Sequence, residues 1–344
     1  MDSLVLGQRL VPELADKLRA RYRVLQRIFL HQPIGRRSLA AVLGTTERIL
    51  RADVELLKQQ GLLDVAPLGM SLTEAGVAVI SDLDSVIRYL DGRQELEFAL
   101  SSILSIDRVL VVPGDSDDDQ VVMRDIGYGT SRLLGDYIKS PCTIAVTGGS
   151  SMAMVAEMLP KSTKAQDIEV LPARGGLGEQ VELLANTIAS QIAFKLGGSY
   201  RMFHVPELLS RTTADSLSME PTVQEIVMRI RDADIVLHGI GEALVMARRR
   251  RLDDYTVNLL EKQSAVAEAF GYFFDQDGQV VHVMNTLGLH IEDLPRIGTV
   301  IGVAGGHSKA GAIRATSMAY RIDALITDEG AARAIVNQEG MMST

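Results

Sequence analysis

The stretch Cys142-Thr-Ile-Ala-Val-Thr-Gly-Gly-Ser-Ser-Met-Ala-Met-Val-Ala-Glu-Met-Leu159 predicts a short buried strand, a glycine turn and an amphipathic helix. β-Branched and apolar residues fill positions 143–146, the pair Gly148–Gly149 forms the turn, and the pair Ser150–Ser151 offers N-caps for the helix. Backbone amides and hydroxyls at a helix N-terminus are a common binding site for phosphate. Taken alone, the stretch fits an ordinary strand-to-helix turn of an α/β sheet equally well.

Two further glycine-rich turns favour a ligand site. Arg174-Gly-Gly-Leu-Gly-Glu179 follows a second predicted strand, and Gly305-Gly-His-Ser-Lys309 follows a third and opens a helix. Each brings a cation to its loop. Because parallel strands end at the same edge of a sheet, the three turns together predict one crevice for an anionic ligand.

Composition restricts the class of protein. The 344 residues are 47% hydrophobic, which is enough for two or three domains with sizeable cores. The chain shows no apolar run long enough for a membrane span and no signal-peptide pattern at its start, so we expect no membrane partner. The single cysteine, Cys142, excludes internal disulfides and is typical of a reducing cytoplasm. With no Cys/His cluster at zinc spacing, we expect neither a metal nor a cofactor.

The charge is distributed unevenly along the chain. The formal net charge is -9, yet positions 17–60 hold ten Lys and Arg residues against three Asp and Glu. A basic N-terminal segment in an acidic protein indicates a nucleic-acid partner for that segment.

The same segment carries a helix-turn-helix pattern. A predicted helix over Tyr22–His31 is followed by a short helix near Ser38 that closes at Gly44, and then by a third helix from Thr45 or Thr46 to Gln60. The first residues of such a third helix meet base edges, and the second helix lies near phosphates. The predicted contacts with operator duplex DNA are therefore Arg36, Arg37, Ser38, Thr45, Thr46, Arg48 and Arg51.

Residues 62–72 predict the hairpin of a winged helix, with a new helix beginning near Thr73. The alternative is a small three-helix domain with exposed arginines. On the next helix, Ile80, Leu83, Ile87 and Leu90 form a short heptad-like stripe. The stripe packs either within its own domain or against a second copy, and we favour the dimer because helix-turn-helix proteins read two half-sites.

From Arg108 onward, apolar strands alternate with helices, which predicts a doubly wound parallel sheet covered on both faces. The fold class is therefore α/β, with a winged helix-turn-helix domain and linker helix at 1–90 and an effector-binding and oligomerisation domain at 91–344. The acidic run 116–119 is interpreted as a solvated loop rather than a metal site. The predicted strands are 109–112, 143–147, 168–171, 201–205, 235–239, 271–274, 300–303 and 324–327, with helices that include 179–196, 222–231 and 309–320.

With these motifs the chain resembles the SorC-type sugar-responsive transcriptional regulators. The resemblance covers nearly the whole chain and rests on the motifs jointly, since each glycine motif alone is weak. The motifs are Thr147-Gly-Gly-Ser-Ser-Met-Ala153, Arg174-Gly-Gly-Leu-Gly-Glu179, His238-Gly-Ile-Gly241 and Gly305-Gly-His-Ser-Lys-Ala310.

The resemblance implies a repressor of glycolytic genes that fructose-1,6-bisphosphate releases from its operator. It also implies a homodimer or homotetramer, and an effector domain related to sugar-phosphate isomerases and deaminases. The ligand residues that it implies are Thr147, Gly148, Gly149, Ser150, Ser151, Arg174, Gly175, Gly176, Gly178, Glu179, one arginine of the run 248–251, Glu268 and Lys309.

Physical chemistry supports these roles. A sugar bisphosphate carries nearly four negative charges, which a helix N-terminus, the Lys309 ammonium and the planar Arg174 guanidinium are suited to hold. Glu268 is a candidate acceptor for sugar hydroxyls. His307 is a candidate phosphate donor, although a loop histidine is as often simply exposed. Within the run 248–251 we choose Arg249, while the other arginines stay open.

A sugar-phosphate isomerase or deaminase with an accessory DNA-binding domain is the alternative function. Such an enzyme needs a positioned general base and acid. Glu268, His307, Asp328 and Glu329 are the nominees, but spacing does not bring them together, and His238 ends an apolar strand as a core residue would. The basic winged helix has no role in an enzyme, so we predict no catalytic residue and a regulator.

Overall fold

A computed structural model describes residues 10–162, 167–176 and 180–342 of the chain. The chain divides into two compact units, Met1–Glu95 and Leu96–Thr344. Within the part that is described, no helix is both long enough and apolar enough to cross a membrane.

The described part of the N-terminal unit has the predicted order of helix, helix, turn, helix, hairpin and helix. The first helix begins ten residues before the predicted start, at a proline in its first turn. The elements are α1 (Pro12–His31), α2 (Arg36–Val42), α3 (Glu47–Gln59), β1 (Leu63–Ala66), β2 (Gly69–Leu72) and α4 (Glu74–Leu90).

The hairpin is held against the segment before α2 by a close backbone approach. Ile34 N donates to Met70 O at 3.0 Å, and Met70 N donates to Ile34 O at 2.8 Å. Gly69 has a φ of +138°, and a Cβ at this position would lie 2.8 Å from Ile34 N. Only glycine permits this approach, which fixes the wing relative to the helices.

The heptad-like stripe of α4 lies inside the N-terminal unit. Ile80, Ile87 and Leu90 are 1%, 2% and 8% exposed, and Leu83 packs against the same cluster. That cluster includes Leu25 and the other inward residues of α1. The dimer-seam interpretation of this stripe is therefore wrong, because the stripe is buried against α1 within its own unit.

The second unit is built on a seven-stranded parallel sheet with helices on both faces, as predicted. Its strands, in spatial order, are β3 (Arg108–Val112), β13 (Ala324–Asp328), β12 (Thr299–Val303), β7 (Ile235–Gly239), β4 (Cys142–Val146), β5 (Ile168–Pro172) and β6 (Ser199–Tyr200). Its helices are α5 (Arg93–Leu104), which contains the division between the units, α6 (Val122–Tyr137), α7 (Ser150–Met158), α8 (Ala185–Leu196), α9 (Arg211–Ser218), α10 (Pro221–Arg231), α11 (Ala243–Arg249), α12 (Asp254–Lys262), α13 (Ala310–Ala319) and α14 (Glu329–Met342).

Both faces of this sheet are buried. In β7, Val236 belongs to one hydrophobic cluster, while Ile235 and Leu237 belong to the cluster on the opposite face. This alternation is the two-residue period of a strand. The order of the sheet reverses between β4 and β7, because the chain runs outward from β4 to β5 and β6 and, on the other side, from β7 to β12 and β13.

Two predicted strands differ from those of the structure. The strand expected at 201–205 is irregular, and only the preceding Ser199–Tyr200 pairs with β5. Phe203 and Val205 are nevertheless buried, so the apolar pattern of this segment arises from buried side chains and not from a strand. The strand predicted at 271–274 lies in a separate antiparallel sheet, formed by β8 (Gly241–Glu242), β9 (Ala267–Ala269), β10 (Tyr272–Phe274) and β11 (Val280–Val283).

We predict that Ile80→Ala lowers the free energy of unfolding of the N-terminal unit by about 2–5 kcal/mol, because it leaves a cavity in the core. Val77→Ala, on the exposed side of the same helix, is the matched control and should cost far less. Urea unfolding followed by circular dichroism measures both. Unchanged stability of Ile80→Ala together with weaker self-association would restore the dimer-seam interpretation.

Candidate functional site

A cavity of about 700 Å³ opens at the carboxyl end of the parallel sheet. The turns that follow β4, β5, β7 and β12 all contribute to its lining. Eleven of the fourteen predicted ligand residues line it: Thr147, Gly148, Gly149, Ser150, Ser151, Arg174, Gly175, Gly176, Arg249, Glu268 and Lys309. Gly178 and Glu179 lie outside the described residues, and His307 is not among the residues that line the cavity.

The turn after β4 presents the N-terminus of α7 to the cavity. Gly149 has a φ of +115° and forms the N-cap of α7, with no side-chain cap among the described residues. The hydroxyl of Thr147 accepts a hydrogen bond from Gly239 N at 3.2 Å, which fixes the ends of β4 and β7 against each other. The first turn of α7, with Ser150 exposed and Ser151 buried, is thus open to an anion.

The turn after β12 differs from the expectation, because carboxylates already occupy its amides. Gly306 N donates to Asp328 at 2.7 Å, His307 N to Asp115 at 3.2 Å, and Ser308 N to Asp117 at 2.8 Å. The acidic run at 116–119 is therefore not simply a solvated loop, since Asp117 and the preceding Asp115 cap this turn.

His307 belongs to this acidic cap. Its Nδ1 lies 2.8 Å from Asp115 Oδ2 and 3.3 Å from Asp117 Oδ2, and the hydrogen bond with Asp115 raises the pKa of His307. The ligand atoms of these three side chains lie within 4.8 Å of one another, a spacing that a cation also tolerates. In the described structure their oxygens bind backbone amides and the imidazole instead.

Lys309 is the group that the third turn supplies to the cavity. It is half-buried, and it forms no ion pair with any described residue. Burial lowers its pKa, an effect that the charges of Asp117, Glu242 and Asp328 offset only in part. Within the described chain, Lys309 is thus a cation without a counterion in contact, as expected of a group that holds an anionic ligand.

The floor of the cavity carries two arginines and two glutamates, which we call the ionic quartet: Arg174, Glu207, Arg250 and Glu268. Arg250 approaches Glu207 at 2.8 Å and Glu268 at 2.7 Å. Arg174 is farther from the same carboxylates, at 3.7 Å and 3.8 Å. These distances exceed hydrogen-bond length, so neither carboxylate accepts a direct hydrogen bond from Arg174.

Burial and ion pairing set the protonation states of the quartet. Burial and the neighbouring Arg250 lower the pKa of Arg174 to about 10. Burial alone would raise the pKa of Glu268, but Arg250 and Arg174 hold it below its ordinary value. Arg174 and Glu268 are therefore charged at neutral pH, and the formal charges of the two arginines and two glutamates cancel.

The arginine run 248–251 separates into different roles. Arg250 is committed to the quartet, whereas Arg249 lines the cavity, is exposed, and forms no ion pair within the described part of the chain. Glu207 and Arg250 were not predicted as ligand residues. Arg250 belongs to the run 248–251, within which the sequence left open which arginine contacts the ligand. Glu207 lies in an irregular segment with no motif or periodicity to mark it.

His238 is a core residue, as predicted. It is fully buried, with its ring centroid 4.6 Å from that of Phe270 and 5.7 Å from that of Tyr320. Burial lowers the pKa of His238 from 6.5 to about 4. The imidazole is therefore neutral in the folded protein.

The N-terminal unit presents the predicted DNA residues mostly on its surface. Arg37, Ser38, Thr46, Arg48 and Arg51 are exposed, and Arg36 and Thr45 are partly exposed. Thr46 caps α3 by accepting from Ile49 N at 3.4 Å. Arg48 and Arg51 form no ion pair with described residues. Ile49, which is not among the predicted residues, is 61% exposed on the first turn of α3. An apolar side chain can contact a thymine methyl in a major groove.

Comparisons with known proteins agree with this architecture. Residues 89–337 match the sugar-binding domain family, and residues 18–87 match the CggR N-terminal DNA binding domain. The central glycolytic genes regulator of Priestia megaterium is 43% identical over 98% of this chain and 99% of its own. The chain belongs to the SorC family of sugar-binding transcriptional regulators. It is thus a DNA-binding regulator with a sugar-binding domain.

Solved SorC-family structures cover both parts of the chain. A SorC family regulator from Enterococcus faecalis aligns with a TM-score of 0.66 at 43% identity, over 70% of this chain and 99% of that one. The full-length sorbitol operon regulator SorC from Klebsiella pneumoniae aligns with a TM-score of 0.68 over 89% of this chain and 94% of that one. At 18% identity the second comparison concerns the fold alone.

The buried His238 predicts a pH dependence of stability. The unfolded chain takes up a proton near pH 6.5 and the native protein only near pH 4, so stability is lost as the pH falls through this window. The free energy of unfolding that is lost through His238 across this window is about 3 kcal/mol. We expect His238→Leu to remove this part of the acid destabilisation, whereas His204→Leu, at an exposed position, should keep it. Urea unfolding of the α/β unit at pH 7, 5 and 4 tests this, and an unchanged loss in His238→Leu would contradict it.

Proposed function

We propose that this regulator is a repressor of glycolytic genes and that fructose-1,6-bisphosphate binds the cavity and releases the repressor from its operator. The observation that carries the proposal is the cavity's charge. Its described lining holds five cations and three carboxylates, and two of the cations, Arg249 and Lys309, have no ion-pair partner among the described residues. The name of the Priestia relative, a central glycolytic genes regulator, supports the glycolytic context.

The distribution of free donors suits two phosphate groups. The N-terminus of α7 and Lys309 supply amides, hydroxyls and a point charge, and Arg249 supplies a planar guanidinium. A volume of about 700 Å³ lies within the usual range for small-molecule pockets. The proposed contacts are the cavity-lining residues predicted from the sequence, and Glu268 is proposed to accept sugar hydroxyls.

The proposed organisation assigns 1–90 to DNA reading with a linker helix and 91–344 to effector binding and self-association. A helix-turn-helix protein that reads two half-sites needs a dimer or a tetramer. Release from the operator requires that the ligand and the operator prefer different states of the protein. Each then changes the affinity of the protein for the other by the same factor, and the coupling free energy is typically about 1–3 kcal/mol.

The electrostatics of the cavity favour a sensor over an isomerase or deaminase. A general base works best with a pKa near the operating pH. Glu268 has its pKa held below its ordinary value by two arginines, and the pKa of His238 is lowered to about 4. Glu268 and His238 are therefore not tuned for proton transfer at neutral pH, which removes two candidate general bases.

Removing one ligand-binding cation from the cavity should make the ligand less able to release the protein from DNA. We expect Lys309→Ala to leave operator affinity without ligand unchanged but to raise the fructose-1,6-bisphosphate concentration for half-release at least about tenfold, through loss of one charged contact. Lys262→Ala removes an exposed lysine of α12 as a matched control. Fluorescence anisotropy on an operator obtained by in vitro selection measures both, and release of Lys309→Ala at the wild-type concentration would refute the effector site.

The DNA-binding face should show strong dependence on salt. With about six phosphate contacts, we expect a log–log slope near -5 for binding to duplex DNA. The double variant Arg48→Ala and Arg51→Ala should weaken DNA binding by about 1–3 kcal/mol for each lost base contact, since these residues are proposed to meet base edges. Lys58→Ala, at the other end of α3, is the control. A flat wild-type slope or an unaffected double variant would argue against this face.

A further inference from the structure

We propose that Glu207 is a specificity-determining residue that makes the cavity select phosphorylated ligands whose carbon skeleton carries hydroxyl groups. This inference rests on the proposed function, because it divides the same cavity into a part that holds anions and a part that holds hydroxyls.

Four of the five cations of the cavity fall into two classes. Lys309 and Arg249 have no carboxylate in contact among the described residues. Arg174 and Arg250 face Glu207 and Glu268 in the ionic quartet, whose net charge is zero. Electrostatic attraction for a phosphate is therefore strongest beside Lys309 and Arg249. At the quartet a phosphate is attracted by two guanidiniums but repelled by two carboxylates.

The quartet offers the pattern of donors and acceptors that a hydroxyl needs. The Nε and Nη2 atoms of Arg174 are buried and have no hydrogen-bond partner within the described chain. Nη2 lies 3.7 Å from Glu207 Oε1, too far for a direct hydrogen bond. A hydroxyl can accept from Arg174 and donate to Glu207, which satisfies both groups at once.

Glu207 is placed to act on a ligand rather than only on the protein. Its side chain is 33% exposed, and it lines the cavity, whereas that of Glu268 is only 5% exposed. Both arginines approach its Oε1, and its Oε2 makes no hydrogen bond with the residues described. One oxygen of Glu207 thus holds the quartet together, and the other is left for a ligand.

Two probes of equal charge separate hydroxyl recognition from phosphate recognition. The first is fructose-1,6-bisphosphate, and the second is a bisphosphate with the same tetrahydrofuran ring and both phosphates but no ring hydroxyl. Isothermal titration calorimetry on the full chain gives the ratio of their dissociation constants. For wild type we expect the hydroxylated ligand to bind at least about tenfold more tightly.

Glu207→Gln keeps the size and the hydrogen bond to Arg250 but removes the charged acceptor. We expect it to reduce the ratio by about tenfold, because the hydroxylated ligand loses its charged acceptor and the other ligand has none to lose. Glu242→Gln removes one negative charge from the same cavity at a residue that forms no ion pair with described residues. This control should tighten both ligands together and leave the ratio within about twofold.

Three results would overturn the assignment: equal affinity of wild type for the two probes, an unchanged ratio in Glu207→Gln, or an equal drop in Glu242→Gln. The first needs no variant, so it holds even if Glu207→Gln fails to fold. If wild type binds neither probe, the proposed effector is wrong. If wild type discriminates and Glu207→Gln discriminates equally, only the role of Glu207 is wrong.

Discussion

The reversal of strand order between β4 and β7 determines where this protein can hold a ligand. Connections from β4 proceed to one side of the sheet and those from β7 to the other, so the turns after these strands separate and leave a crevice at their carboxyl ends. The N-terminus of α7 follows β4 directly. Arg174 after β5 and Lys309 after β12 reach the same crevice because their strands flank this central pair.

Charge compensation then decides which groups in the crevice remain available. Three amides of the turn after β12 are occupied by Asp115, Asp117 and Asp328, and the residue that this turn contributes to the described cavity lining is Lys309. Arg250 is likewise paired within the quartet. Lys309 and Arg249 remain without an ion-pair partner among the described residues. An unpaired charge is costly only when it is buried, and Arg249 is exposed.

The sequence allowed the fold and most of the cavity to be predicted, because both depend on local pattern and on one topological rule. Glycine turns after apolar strands identified Gly148–Ser151, Arg174 and Lys309. The predictions that were wrong concern contacts with residues that are distant in sequence. Nothing near His307 indicates that Asp115, separated by 192 positions, binds it. The spacing of Ile80 and Ile87 is the same whether a helix packs within its domain or against a second copy, so periodicity could not decide between them.

The arrangement of the hydrophobic clusters supports the proposal that the ligand carries two phosphates. Arg249 ends α11, which packs with α12 and β10 in a small cluster containing Ala247, Leu260 and Phe273. Lys309 precedes α13, whose Ile313 belongs to a different and larger cluster. A ligand with a single phosphate can neutralise one of these cations. A bisphosphate can contact both and so join the two clusters through its own charges. A ligand shifts an equilibrium only by its differential affinity for two states, and contacts that depend on the arrangement of two clusters are a source of such a difference.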